Sequence, residues 1–277
     1  MRRSFLALAA TTAAFTFTGA YAAFAADMGI PVKAPPPAPS WTGFYIGADG
    51  GGAWGTTQST ALISGVIAPV VTDAGSLAIA AAPAGIPFSF GLPIASINYN
   101  GFLGGVDVGY NWQSGMWVLG VEGDFDGSSM QGNTACLVAL NCSVKHDWVA
   151  DVAGRIGLVA LDNGLIFIKG GAAWADAQYA VGNSVTVGTP PTTFAVNANA
   201  SGTLFGGLLG VGFAYMITPN LSAKVEYDHI EFRTQTFNFP ITTTPPATGL
   251  PTIPAQIHDS MNIFKVGVDY TFWTATW

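Results

Sequence analysis

Charge is scarce in this chain: Asp, Glu, Lys and Arg together make up 9% of its 277 residues. Basic residues are the scarcer sign, nine against sixteen acidic, and they form no cluster. That argues against nucleic acid or anionic lipid held by a basic patch. Cysteine is nearly absent, with two in the whole chain. A long apolar run is missing too, although apolar residues reach 50% and mean hydropathy is +0.41. A membrane-spanning helix needs roughly 20 consecutive apolar residues. The best stretch, 204–217, is shorter, is interrupted by glycines and stops at Pro219. An exported apolar chain without such a run can cross a bilayer only as a closed β-barrel, because every backbone polar group must be paired there.

Export is written at the start. Arg2 and Arg3 form a positive n-region, the stretch from Phe5 to Ala14 is apolar, and Ala23-Phe24-Ala25 has the small-x-small form of a cleavage site. Residues 1–25 are expected to be a signal peptide. Its removal takes the two arginines and no acid, so the balance moves from −7 to −9. Residues 26–40 carry Pro31, Pro35, Pro36, Pro37 and Pro39 and read as a stiff, extended periplasmic leader. The barrel is then expected to occupy 41–277.

Within it, eight stretches alternate apolar with polar or glycine residues: 42–54, 99–112, 116–127, 145–160, 164–179, 202–217, 220–233 and 260–272. Each reaches the length of about 9–11 residues that a tilted strand needs to span a bilayer. The connections alternate short (near 112–115, 162–164 and 219–220) and long (55–98, 128–144, 181–200, 234–259). The expected fold is therefore all-β: an eight-stranded antiparallel up-and-down transmembrane β-barrel with short periplasmic turns and long extracellular loops.

Successive strand residues face opposite sides, and the charges keep to one of them. Lys224, Glu226 and Asp228 oppose Ala223, Val225 and Tyr227. Glu122, Asp124 and Asp126 oppose Trp117, Leu119, Val121 and Phe125. Asp151 and Arg155 oppose Trp148, Ala150, Val152, Ile156 and Leu158, while Lys265 and Asp269 oppose Phe264, Val266, Val268, Tyr270 and Phe272. Asp107, Asp49 and Lys169 continue the set, and the sixth stretch is apolar on both faces. A Lys or Arg facing lipid near the midplane costs about 2–4 kcal/mol, so the charged face must be the lumen. Eight strands leave an interior that side chains just fill. Arg155, Lys169, Lys224 and Lys265 are therefore expected to pair with Asp49, Asp107, Glu122, Asp124, Asp151, Glu226, Asp228 and Asp269. Excess carboxylates would turn to water or Tyr45. Trp41, Tyr45, Tyr110, Trp112, Trp117, Trp148, Trp174, Tyr215, Tyr227 and Tyr270 sit near stretch ends, as in an aromatic girdle.

The segment WTGFYIGADGGGAWG after a proline-rich leader resembles the entry strand of small outer-membrane barrels of alpha-proteobacteria, and NIFKVGVDYTF resembles their closing strand. These belong with the opacity-type and OmpA-like eight-stranded barrels. The resemblance implies an abundant surface protein with an architectural, sometimes adhesive, role, and it carries over no catalytic residue. Two departures stand out. The chain runs past Phe272 to Trp277, and the first long connection is apolar, with Ile63, Val66, Ile67, Val70, Val71, Leu77 and Ile79.

Candidates for chemistry are few. Cys136 and Cys142, in an oxidising compartment, are expected to form a disulfide that staples a loop; zinc held with His146 is the sharper alternative but shows only three ligands. His258-Asp259-Ser260 resembles the His/Ser dyad of outer-membrane lipid A deacylases, against which stands the frequency of such a triplet by chance. Gly206-Gly207 makes no nucleotide loop, and Asp124 with Asp126 is explained by a shared lumen face without glycosidase chemistry. The expectation is a non-enzymatic protein of the Gram-negative outer membrane, with no cofactor or metal, contributing to envelope integrity. Its partners would be outer-membrane lipids and lipopolysaccharide, with host or envelope surfaces met through the loops. A narrow diffusion channel, a loop adhesin and a lipid A-modifying enzyme follow in that order.

Overall fold

The computed structural model describes residues 40–67, 86–136, 140–161, 163–187, 192–244, 246 and 252–272. The expected signal peptide, the leader up to residue 39, Val70, Val71, Leu77 and Ile79 of the first connection, and Trp277 lie outside them. The described strands are β1 (Gly43–Ile67), β2 (Ile86–Ser114), β3 (Trp117–Cys136), β4 (Leu140–Ala160), β5 (Gly164–Val187), β6 (Thr192–Thr218), β7 (Leu221–Phe232), β8 (Gln235–Thr244) and β9 (Thr252–Thr271).

All neighbours run antiparallel, and β9 pairs back onto β1 from Tyr45 opposite Thr271 to Ala61 opposite Ala255. Among the described residues the ring therefore closes, with every strand paired to a neighbour on each side over part of its length. Nine strands fill eight positions. β7 lies between the lower parts of β6 and β9, and β8 lies between their upper parts, after a break at Arg233 and Thr234. The three short connections fall at one end, at 115–116, 161–163 and 219–220.

At the other end the strands run well past the stretches marked by the lipid-face pattern. Most of 55–98, 128–144, 181–200 and 234–259 is strand, paired into long hairpins that raise the wall beyond the membrane. These segments are rich in Thr, Ser, Ala and Gly, and their outer face meets water, so no apolar alternation reveals them.

The lipid-facing side carries a continuous apolar band that includes Phe102, Val106, Val121, Ile168, Leu209 and Val266, all exposed. Aromatic pairs mark its upper border: Trp54 against Tyr227, Phe125 against Trp148, and Trp174 against Phe205. Two members expected in the girdle lie elsewhere. Tyr45 points inward at 1% exposure, and Trp41 is buried among Val118, Leu165, Phe167 and Met216 at the short-turn end. Both sit on the inward parity of β1's entry, where the lumen offers apolar and polar partners together.

The interior is layered along the axis. The Trp41 cluster fills the short-turn end, charged side chains fill the middle, and a larger apolar cluster including Leu103, Met130, Leu204, Ile230 and Met261 fills the upper part. The sixth position, apolar on both faces in sequence, makes room for this filling. Gly212 faces inward where a Cβ would collide with the Phe167 ring, so only glycine lets that ring close the lower end.

Candidate functional site: the charged lumen

Four cations stand in the middle layer. Arg155, from β4, sends Nη1 to Glu122 Oε2 at 2.9 Å and Nε to Asn111 Oδ1 at 2.9 Å. Its guanidinium lies 4.6 Å over the Tyr45 ring and 5.2 Å from the Phe167 centroid. The Tyr45 hydroxyl donates to the same Glu122 oxygen at 2.6 Å. Lys169, from β5, contacts Glu226, Asp228 at 3.2 Å and Glu122 at 3.6 Å. Lys224, from β7, reaches Asp107 at 2.8 Å, Asp269 at 3.4 Å, and Asp49 and Glu122 at 3.9 Å. Lys265, from β9, reaches Asp124 at 2.8 Å, Asp126 at 3.5 Å, Asp49 at 3.8 Å and Glu226 at 3.9 Å.

Every one of these side chains is at most 6% exposed. Each lysine thus joins carboxylates from two or more strands, and Arg155 shares Glu122 with Lys169 and Lys224, so no pair stands alone. Asp151 shares the lumen and is buried, but makes no ion pair with these cations among the described residues. Asp126 and Asn111 complete the network beyond the set expected from sequence, both being inward by the same parity.

Two carboxylate triads, Asp49–Asp124–Asp126 and Glu122–Asp124–Glu226, bring their oxygens within 4.8 Å of one another, a spacing suited to a cation. The Lys265 ammonium stands against Asp49, Asp124, Asp126 and Glu226 and supplies that positive charge itself.

Above the charges lies a second buried polar group. Asp259 accepts from the Thr57 hydroxyl at 2.5 Å and from the Tyr99 hydroxyl at 2.6 Å, and its Oδ2 lies 3.5 Å from His146 Nε2. His146 Nδ1 is 2.6 Å from the Asp176 carbonyl oxygen. Strict alternation would place His146 on the same outward face as Trp148. A bulge at Asp147 and Trp148 turns it inward, and the Asp176 carboxylate accepts both bulge N–H groups at 2.5 and 3.0 Å. No sequence signal marks that bulge, so this group was not legible from alternation.

Cys136 and Cys142 are joined in a disulfide across the β3–β4 hairpin near its tip, with Cα atoms 5.8 Å apart. Neither thiol is left for zinc, and His146 is engaged in the interior. His258 and Ser260 sit on the outer face of β9. His258 Nε2 contacts Glu231 at 2.8 Å and Nδ1 lies 3.4 Å from Thr234, so both ring nitrogens are turned to groups other than Ser260. His229 also contacts Glu231, at 3.5 Å.

A closed antiparallel ring with an apolar belt outside, aromatic borders and its charges buried within defines an integral outer-membrane β-barrel. Residues 7–272 match the model of the outer membrane protein beta-barrel domain, and the chain belongs to that family. It is 31% identical to the 31 kDa outer-membrane immunogenic protein of Brucella melitensis over 225 residues, covering 79% of this chain and 83% of that protein. It is 27% identical to the 22 kDa outer membrane protein of Rhizobium leguminosarum bv. viciae over 138 residues, half of this chain and 56% of the relative. Among solved structures it is similar to the outer membrane protein OprG of Pseudomonas aeruginosa, with TM-score 0.42 and 9% identity over 84% of this chain and 97% of that one. The outer membrane protease OmpT of Escherichia coli gives TM-score 0.40 and 10% identity over 83% and 97%. The protein is located in the outer membrane of a Gram-negative bacterium.

Proposed function

We propose that this barrel works as a sealed structural element of the outer membrane, contributing to envelope integrity and presenting its outer hairpins to the surroundings. The observation that carries the reading is the filled lumen. Four buried cations, on β4, β5, β7 and β9, hold carboxylates of β1, β2, β3, β7 and β9, and apolar layers close the charged layer from both ends. Such a network resists shear of one strand past another, because a register slip would strip buried charges of their partners. The wall meets outer-membrane lipids and lipopolysaccharide through the apolar belt. The hairpins are its means of contact with host or envelope surfaces, a role supported by a relative whose name calls it immunogenic.

The test is conductance of the refolded protein in a planar bilayer, with an unboiled gel lane to verify folding. Folded protein without stable steps is the expected result. Reproducible small steps that change when Lys224→Ala or Asp151→Ala is introduced would replace this reading with a narrow diffusion channel.

A further inference from the structure

The bulge on β4 has a consequence on the outer wall. His146 and Val149 both point inward, at 0% and 1% exposure, so the two residues between them face out together. Asp147 and Trp148 thus set a carboxylate beside an indole, which plain alternation never does. Bulges re-aim side chains in this way next to functional sites.

Beside the pair lies an open cleft of about 740 Å³ on the outer face of β4, β5 and β6. Its size falls within the range of small-molecule sites, roughly 300–1,000 Å³. Lys145, Gln178 and Ser201 cross it in one row of paired residues, and Asp176 and Thr203 form a second row nearer the membrane. The polar groups hold one another in place. Gln178 Nε2 donates to Asp147 Oδ2 at 2.7 Å and to Asp176 Oδ2 at 3.2 Å, while Lys145 Nζ lies 2.6 Å from Asp147 Oδ1. One ammonium therefore meets two carboxylates, and the excess negative charge repels a phosphate. A neutral hydroxyl suits the same groups, since it can donate to the carboxylates and exchange hydrogen bonds with Ser201 and Thr203.

The height of the cleft decides what lies against it. Trp148 belongs to the aromatic border, and Trp174 and Phe205 sit two residues below Asp176 and Thr203 on the same strands. Such borders stand at the level of the lipid headgroups. The cleft is continuous with the lipid belt and opens into the headgroup layer of the outer leaflet.

We propose that this cleft binds the headgroup of an outer-leaflet glycolipid through a neutral sugar ring, with the ring's apolar face on the Trp148 indole and its hydroxyls on Asp147, Gln178 and Ser201. The proposal rests on the reading that the wall meets outer-membrane lipids. It adds a preference among them: the β4–β6 side of the barrel retains sugar-headed lipids and turns phosphate-headed ones away.

The experiment uses protein refolded into phosphatidylcholine nanodiscs that contain equal minor amounts of digalactosyl diacylglycerol and phosphatidic acid with matched chains. Native mass spectrometry counts the lipids kept on the released barrel. The sugar lipid should be enriched over its share of the disc, and phosphatidic acid should not. Ser201→Trp, which fills the cleft from β6, should return the sugar lipid to its bulk share, whereas Trp174→Leu, on the border outside the cleft, should leave it enriched. Gln178→Ala should lower the enrichment between about two- and tenfold, the worth of one hydrogen bond. Asp147→Lys, which reverses the charge excess, should admit phosphatidic acid. Unboiled gels verify that the variants fold. Retained lipid of bulk composition, or enriched in phosphatidic acid by the unaltered protein, would overturn the proposal, as would enrichment that survives in folded Ser201→Trp. Quenching of tryptophan fluorescence by brominated chains tests the underlying reading separately. Quenching without sugar-lipid enrichment would sink this proposal alone, and absence of quenching would sink both.

Discussion

Replacing Arg155 by leucine should destabilise the barrel by about 3 kcal/mol. Removing one partner of a buried ion pair costs roughly 3–5 kcal/mol, because the other charge stays buried without it. Arg155 and Glu122 are 4% and 0% exposed, so solvent offers little screening. The lower end of the range applies, since Glu122 keeps the Tyr45 hydroxyl at 2.6 Å and has Lys169 and Lys224 at 3.6 and 3.9 Å. The loss also strips Asn111 of its donor and uncovers the Tyr45 and Phe167 rings. The assay is urea unfolding from lipid vesicles followed by tryptophan fluorescence. The double variant Arg155→Leu/Glu122→Met should recover at least half of the loss, because replacing a whole buried pair with apolar groups is often neutral or better. An Arg155→Leu barrel within about 0.5 kcal/mol of the parent, the scatter of an ordinary surface change, would refute the reasoning. So would a double variant that is weaker by the sum of both losses.

Gly51→Ala should impair ring closure, since a Cβ there would overlap the Phe264 carbonyl on the neighbouring β9 strand, whereas at Gly50 the nearest atom is 3.6 Å away. A cost of about 1–3 kcal/mol is expected for the former and a much smaller one for Gly50→Ala, read from the heat-modifiable gel shift. Asp176→Ala should free the Asp147 and Trp148 amides, raising their hydrogen-exchange rates while the β1–β9 seam stays protected. Cys136→Ser with Cys142→Ser should loosen the β3–β4 hairpin tip and leave the unboiled gel mobility of the barrel unchanged, because the closed ladder lies below the staple. Ser260→Ala should leave lipid A acylation as it is, with His258 already turned to Glu231.

What could be read from sequence follows where lipid enforces a pattern. Lys224, Glu226 and Asp228 alternate with apolar residues because a bilayer tolerates no charge outward, so their shared interior was legible without coordinates. Above the membrane that constraint lapses. The upper reach of β1 and β2 has water outside and read as a loop. Strand β8 was hidden by Pro240 and the prolines that follow, which argue against a strand except near a rim. The His146–Asp259 contact joins residues far apart in the chain through a bulge that breaks alternation, and a period of two cannot announce its own interruption. The inward turn of Trp41 depends on how the short-turn end is plugged, which only the assembled ring decides.

The seam between β1 and β9 brings the two extremities of the wall to one rim. The Phe272 amide donates to the Phe44 carbonyl at 2.8 Å, and the two rings lie 6.1 Å apart. A short linker could join them there, and the chain could be reopened at any outer hairpin without altering a single strand pairing. Such a rearranged polypeptide, entering the fold at β4 or β6, would have the same wall with a different order of synthesis. It would show whether insertion depends on which strand is made last or only on the ring that all of them complete.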